Sequence, residues 1–207
     1  MKNLDADFYN ALINARETGI VPRRFIYITA KRYDNGTPAF IGLWNGDEDV
    51  TISVTDAFTG IVSSRIYYGS VNIRMPVIPR VSDMTIQNIS VEVSNIAAVA
   101  QVALREYNLR LAKVQIHDVL LNPHTRDIIG QPAVAFVGEV QGAPIVTGAV
   151  GESGSASIKM VSDAISMLER TNPRKSSYEG QKKRDGDEWN KYASTVATWK
   201  IVWGGEK

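Results

Sequence analysis

RFIYITAKRYDNGTPAFIGLW, residues 24–44, decides the fold. Phe25, Tyr27 and Thr29 alternate with Ile26, Ile28 and Ala30, so a strand here carries apolar side chains on both faces and belongs inside a layered structure. Asp34-Asn35-Gly36 follows, and Asn-Gly supplies the positive φ angles of a tight hairpin. Ala39–Trp44 then returns as the partner strand. The expectation is an antiparallel pair whose first strand is covered on both sides.

Outward from that pair the pattern stays β. Asn45-Gly46-Asp47 turns the chain into Val50–Val54, a short alternating strand, and Asp56–Gly60 forms a loop. Ile61–Ile73 reads as a longer strand or bent pair, interrupted near Gly69. Met75-Pro76-Val77-Ile78-Pro79 cannot be an interior strand, because proline donates no ladder hydrogen bond. Thr85–Val93, Leu111–Leu121 and Ser155–Val161 are further strands, and Ala133–Val140 with Ala143–Val150 flanks Gln141-Gly142 as a hairpin. Helical spacing occurs twice. Leu4, Phe8, Leu12 and Ala15 mark a helix ended by Gly19. Ile96, Val99, Val102 and Ala103 mark another, capped by Ser94-Asn95 and running to about Tyr107. Roughly nine to eleven strands with no helix–strand alternation favour a mainly β, antiparallel barrel or sandwich with two short helices.

The last forty residues differ. Residues 1–168 carry 14 basic and 16 acidic residues, a net −2, whereas 169–207 carry a net +3. Seven basic residues lie between Arg170 and Lys191: Arg170, Arg174, Lys175, Lys182, Lys183, Arg184 and Lys191. The chain therefore divides into a β-rich domain, 1–168, and an extended C-terminal arm, 169–207, which is expected to return on a strand through Trp199, Ile201 and Trp203. Those three side chains share one face of such a strand, and Trp189 and Tyr192 precede them, making a C-terminal anchor. Arg170, Arg174, Lys175, Lys182, Lys183, Arg184 and Asp187 are the expected subunit-interface residues, a basic surface suited to an acidic neighbour.

Chemistry is sparse. The 207 residues include no cysteine, which excludes disulfides, zinc-thiolate sites, iron–sulfur clusters and a cysteine nucleophile. His117 and His124 are the only histidines, and His117 adjoins Asp118 on a strand, so the two side chains point to opposite faces and form no triad. Asp47-Glu48-Asp49 lacks the ligand spacing of an EF-hand and reads as a solvated turn. No acid, base or nucleophile is positioned by sequence, so neither an enzyme nor a cofactor is expected. The net charge of +1 argues against a nucleic-acid binder, and no apolar run reaches the roughly 18 residues of a membrane span. Synthesis in the cytoplasm follows from the absence of a signal-peptide layout at Met1–Asp7.

Glu169-Arg170, then Gln181-Lys182-Lys183-Arg184-Asp185-Gly186-Asp187-Glu188-Trp189, Tyr192 and the closing Lys200-Ile201-Val202-Trp203-Gly204 resemble the C-terminal end of the tail-tip/baseplate hub protein family of long-tailed (siphovirus-like) bacteriophages and gene transfer agents. Leu43-Trp44-Asn45-Gly46 and the segment Met84–Val93 fit the same body. Many members of that family carry cysteines for an iron–sulfur cluster; this chain has none, so that cofactor is not carried over. The resemblance implies a structural virion protein of the tail tip. It would form a ring of its own copies, a trimer ahead of a hexamer. The ring would join a tail-tube or distal-tail ring protein to the central tail fibre or tip attachment protein. The alternatives are a hexameric distal-tail adaptor ring and, further off, a host-surface-binding module, which exposed tryptophans would support.

Overall fold

The computed structural model describes residues 4–80, 85–94, 97–146, 154–169, 177–196 and 198–200, without the side chains of 98 and 167–169. The chain divides into two units, Met1–Met167 and Leu168–Lys207. The first unit is mainly antiparallel β, and its principal sheet closes almost into a barrel.

The residues quoted above form β1 (Val21–Arg32) and β2 (Pro38–Trp44), paired from Phe25↔Trp44 to Lys31↔Pro38. Their connection is wider than a two-residue turn. Gly36 takes the positive φ of 69°, but the chain needs Tyr33–Thr37 to reverse, and Asn35 Oδ1 accepts from Thr37 N at 3.0 Å. A side-chain acceptor that bonds the backbone two residues on stabilises this longer loop instead of the Asn-Gly hairpin.

The remaining strands are β3 (Val50–Thr55), β4 (Val62–Tyr67), β5 (Ile73–Arg74), β6 (Asn88–Ser94), β7 (Tyr107–Leu121), β8 (Ile128–Gly142), β9 (Ile145–Val146) and β10 (Ser155–Ser162). The sheet order is β2-β1-β7-β8-β10-β6-β5, with β9 beside β10. Its two ends approach each other because Leu43 of β2 bridges Tyr68, just upstream of β5. The enclosed core takes Ile26, Ile28, Leu43, Val91, Val114, Ile116, Val140 and Met160 from around the sheet, all fully or almost fully buried. A helix, α3 (Ala98–Glu106), turns Ala100 and Ala103 into it. Small residues let the helix backbone sit close to the barrel interior. Helix α3 begins after Ala97, which makes no side-chain cap, and Asn95 of the expected Ser94-Asn95 cap lies outside the described residues.

The segment after Gln141-Gly142 departs from expectation. β8 runs on through Gly142, and the short β9 pairs with β10, not with β8. Pro144 interrupts the run, and its carbonyl accepts from Ser157 N at 3.0 Å on β10. At the N-terminus the single helix becomes two, α1 (Ala6–Ile13) and α2 (Ala15–Thr18), before Gly19. Helices α4 (Ala164–Glu169), α5 (Tyr178–Lys182) and α6 (Ala193–Val196) add to these, so the described residues hold six short helical segments where two were expected.

β3 and β4 form a separate hairpin that covers the outer face of β1, β2 and β7. The second core lies beneath it: Phe25, Trp44, Val54, Tyr67, Val119 and Leu121. Phe25 stacks on Tyr67 at 4.5 Å and meets Trp44 edge-on at 5.3 Å. Gly42 makes this approach possible, since a Cβ there would collide with the Ile66 carbonyl of β4. Burial of each large side chain contributes about 1.5–3 kcal/mol, against about 0.5–1.5 kcal/mol net for a hydrogen bond, so apolar packing holds the hairpin down.

Candidate functional site

Two sites follow from the two faces of β7. Odd-numbered residues from Gln115 to Leu121 face the hairpin, and the even-numbered Ile116, Asp118 and Leu120 face the other way.

Under the hairpin lies a buried polar cluster. Arg65 of β4 is buried, and its guanidinium reaches Asp56 Oδ2 at 2.5 Å, Gln115 Oε1 at 3.2 Å and Ser63 Oγ at 3.1 Å. Gln115 donates in turn to Asp56 Oδ2 at 2.9 Å. The ring of Tyr27 lies 4.2 Å below the Arg65 guanidinium carbon. Asp56 opens the loop between β3 and β4, where its other oxygen accepts from Phe58 N at 2.9 Å and Thr59 N at 2.8 Å. Partial burial by itself would raise the Asp56 pKa. The Gln115 amide and the backbone N–H groups of Thr59 and Phe58 outweigh that and hold the carboxyl well below the ordinary range.

His117 and Tyr67 are fully buried beside this cluster, and neither makes a well-formed side-chain hydrogen bond. Burial, then the Arg65 charge, pushes the His117 pKa down to about 4, against the opposing effect of the Thr55 backbone. Burial pushes the Tyr67 hydroxyl up to about 12 against the opposing pull of Arg65. Both groups are therefore neutral at pH 7. Through Arg65, Asp56 and Gln115 the cluster ties the β3–β4 hairpin to β7 beneath it, a polar clamp between the layers.

On the opposite face a cleft of about 480 Å³ opens beside α1. Leu4, Phe8 and Leu12 form one wall, Met75 and Arg80 another, and Pro22–Arg24, Asp118–Leu120 and Ala133 the floor. Asp118 is shared by two guanidinium groups, Arg24 Nε at 3.1 Å and Arg80 Nη2 at 2.8 Å. Arg24 also donates to the Pro76 carbonyl at 2.5 Å, which ties the proline-rich segment to β1.

Of the expected interface residues, Arg170, Arg174 and Lys175 lie outside the described residues, as do Ile201 and Trp203 of the anchor. The others lie in the second unit, where the contacts they make are local along the chain. Ser177 caps α5 by accepting from Gly180 N at 3.2 Å. Lys182 ends that helix with its amine 5.5 Å from the Tyr178 ring centre, and Lys183 and Arg184 are exposed. Asp187 accepts from Trp189 N at 3.0 Å and Gln181 Nε2 at 2.9 Å, the two contacts that lower its carboxyl pKa. Trp189, Tyr192 and Trp199 are all exposed, Trp189 by 87%. Trp199 and Lys200 stand outside any strand, because Thr198 N and Trp199 N bond back to Thr195 and Val196 carbonyls and prolong the turn after α6.

The acidic turn at Asp47–Asp49 has structural partners. Trp44 Nε1 donates to the Glu48 carbonyl at 2.7 Å, and Asp49 Oδ1 accepts from Gly69 N at 2.9 Å. Among the described residues no group of three His, Asp or Glu side chains converges as metal ligands would. None of the described helices is long and apolar enough to cross a membrane. Scanned against protein-family models the chain matches none, and no curated protein matches it.

Sequence reasoning missed both sites on β7. One signal was available: Arg65 sits in an alternating strand at a position whose neighbours on the same face, Ser63 and Tyr67, are also polar or amphipathic. The partners Asp56 and Gln115 are 9 and 50 residues away, distances that no local pattern links.

Proposed function

We propose that this chain is a structural subunit of a phage tail tip, a hub that forms a ring between the tail tube and the central fibre or spike. The reading rests on the C-terminal resemblance. The observation that best supports it is a nearly closed antiparallel barrel accompanied by a distinct C-terminal unit. Sheet edges suit a ring subunit, because unpaired edge strands join neighbouring chains. A heterologous contact that closes on itself gives such a ring. β2 has an edge of this kind, since beyond Leu43 its outer side has no partner strand among the described residues and Phe40 is exposed there. In this reading Lys182, Lys183, Arg184 and Asp187 meet the neighbour, and the protein is neither an enzyme nor dependent on a cofactor.

Deleting Ser176–Arg184 tests the proposal. The variant should keep its far-ultraviolet circular dichroism and its melting transition yet yield no completed tails by electron microscopy. Normal tail numbers would refute the interface role. Native mass measurement of assembled rings separates three copies from the six of a distal-tail adaptor.

The exposure of Trp189, Tyr192 and Trp199 favours one second reading, a module that binds host-surface carbohydrate. Aromatic faces open to solvent stack on sugars as well as on protein. Saturable binding of the isolated protein to host cells, lost in Trp189→Ala, would support that reading over assembly.

A further inference from the structure

We propose that the cleft beside α1 binds an amphiphilic monocarboxylate, with its apolar tail between Phe8, Leu12, Met75 and Leu120 and its carboxylate on Arg80. This inference stands apart from the tail-tip reading. The first support is charge. Among the described residues Arg24 and Arg80 share the single carboxylate of Asp118, so this trio carries one surplus positive charge at the cleft. Arg24 is tied on a second side by the Pro76 carbonyl, whereas the Arg80 side chain is 68% exposed. Arg80 is thus the guanidinium with donors free for a second anion, and guanidinium–carboxylate pairs are among the stronger polar contacts. Arg23 at the same rim makes no ion pair among the described residues and donates only to the Pro22 carbonyl, at 3.2 Å. Its neighbours on the other side include Asp47 and Glu48, so the surplus is assigned to Arg80. Asp5, at the N-terminal end of α1, accepts from Gln131 N of β8 at 3.3 Å, and neither Asp5 nor Asp7 lines the cleft.

The second support is shape and lining. A volume of about 480 Å³ falls within the roughly 300–1,000 Å³ of small-molecule sites. The walls away from the arginines are aliphatic and aromatic, so a wholly polar anion would leave them wet and a neutral hydrocarbon would leave Arg80 unanswered. The concavity, walled on two sides, takes one molecule's tail and does not present a flat face to a membrane.

Isothermal titration of the full chain tests this with three probes, each below its micelle concentration: decanoate, decyltrimethylammonium and decanol. Decanoate should bind one per chain, at least ~tenfold tighter than the cation. Arg80→Gln should abolish that preference and Arg80→Glu should reverse it. Leu12→Gln should weaken all three probes together. Because Arg80 and Leu12 are exposed or partly exposed, these variants should keep the parent melting curve. Equal affinity for anion and cation, no effect of either Arg80 variant, more than one probe per chain, or no saturable binding would each overturn the proposal. So would sedimentation with phosphatidylglycerol vesicles without binding of monomeric decanoate, which would mark a membrane surface instead.

Discussion

Replacing His117 with leucine should raise stability at pH 5 and flatten its dependence on pH. The imidazole is fully buried next to Arg65, and its pKa falls from 6.5 to about 4 in the folded chain. The unfolded chain therefore binds more protons than the folded one below pH 6.5, so stability falls as pH falls. The loss begins near the unfolded value and is complete only below the folded one. A tenfold difference in proton affinity between the folded and unfolded chains corresponds to ~1.4 kcal/mol, which gives about 3 kcal/mol in full here. Between pH 7 and pH 5 the linkage predicts a loss of about 2 kcal/mol. For a unit of this size that is a drop of roughly 4–8 °C in melting temperature. Asp56 does not contribute in this window, because its pKa is depressed: its stabilisation is present above the unfolded carboxyl value and is lost only in stronger acid. His117→Leu removes the titration and the two unpartnered ring nitrogens while keeping the site filled. Urea titrations of both proteins at pH 7, 6 and 5 measure the difference. Parallel loss of stability in the two, or a His117 imidazole proton that titrates near 6.5 by NMR, would refute the burial argument.

Three further outcomes are expected. Arg65→Ala should cost about 3 kcal/mol, at the low end for breaking a buried pair because Asp56 keeps some contact with solvent; the urea midpoint at pH 7 measures it. Gly42→Ala should cost about 1–3 kcal/mol by overpacking against the Ile66 carbonyl, with hydrogen exchange in β4 accelerating more than in β10. Iodide should quench the fluorescence of Trp189 and Trp199 but not Trp44, measured in variants that retain one tryptophan each, and ring assembly through the C-terminal unit should protect Trp189.

Much of the barrel is legible because its strands obey a period of two. β1 reads as doubly covered from Phe25–Ala30 alone, and the structure puts Ile26 and Ile28 in one core and Phe25 in the other. Legibility fails where one residue redirects the chain. Asn35 widens a turn that Asn-Gly would otherwise tighten, and Pro144 sends β9 to β10. It fails again at the sites. Arg24, Arg80 and Asp118 come together only because β1 pairs with β7 and the Pro76 carbonyl anchors the following loop. Those are non-local consequences of packing, whereas alternation is a local property that the sequence carries by itself. The C-terminal motifs are the reverse case: vivid as a pattern, but Trp189 and Trp199 end exposed, because aromatic content alone does not fix which surface covers a side chain.

The clamp and the cleft are joined through a single strand yet separated by the sheet. His117 points under the hairpin and Asp118 into the cleft, so adjacent residues serve environments of opposite character. A one-residue slip of β7 would exchange them, placing a carboxylate in the aromatic layer. That error is costly, since burying an unpaired carboxylate costs several kcal/mol. The register is pinned over Lys113–Leu121, and on the β1 side it shifts only beyond that stretch, between Thr29 and Lys31. Val21↔Leu121 through Thr29↔Lys113 pairs without interruption on the β1 side, and the irregularities at Ile116/His117 and Asp118/Leu120 fall only on the β8 side. β1 is thus the template that sets which face each residue takes, and β8 accommodates the bends. The stretch that reads most plainly in the sequence is also the one that orients the sites that do not.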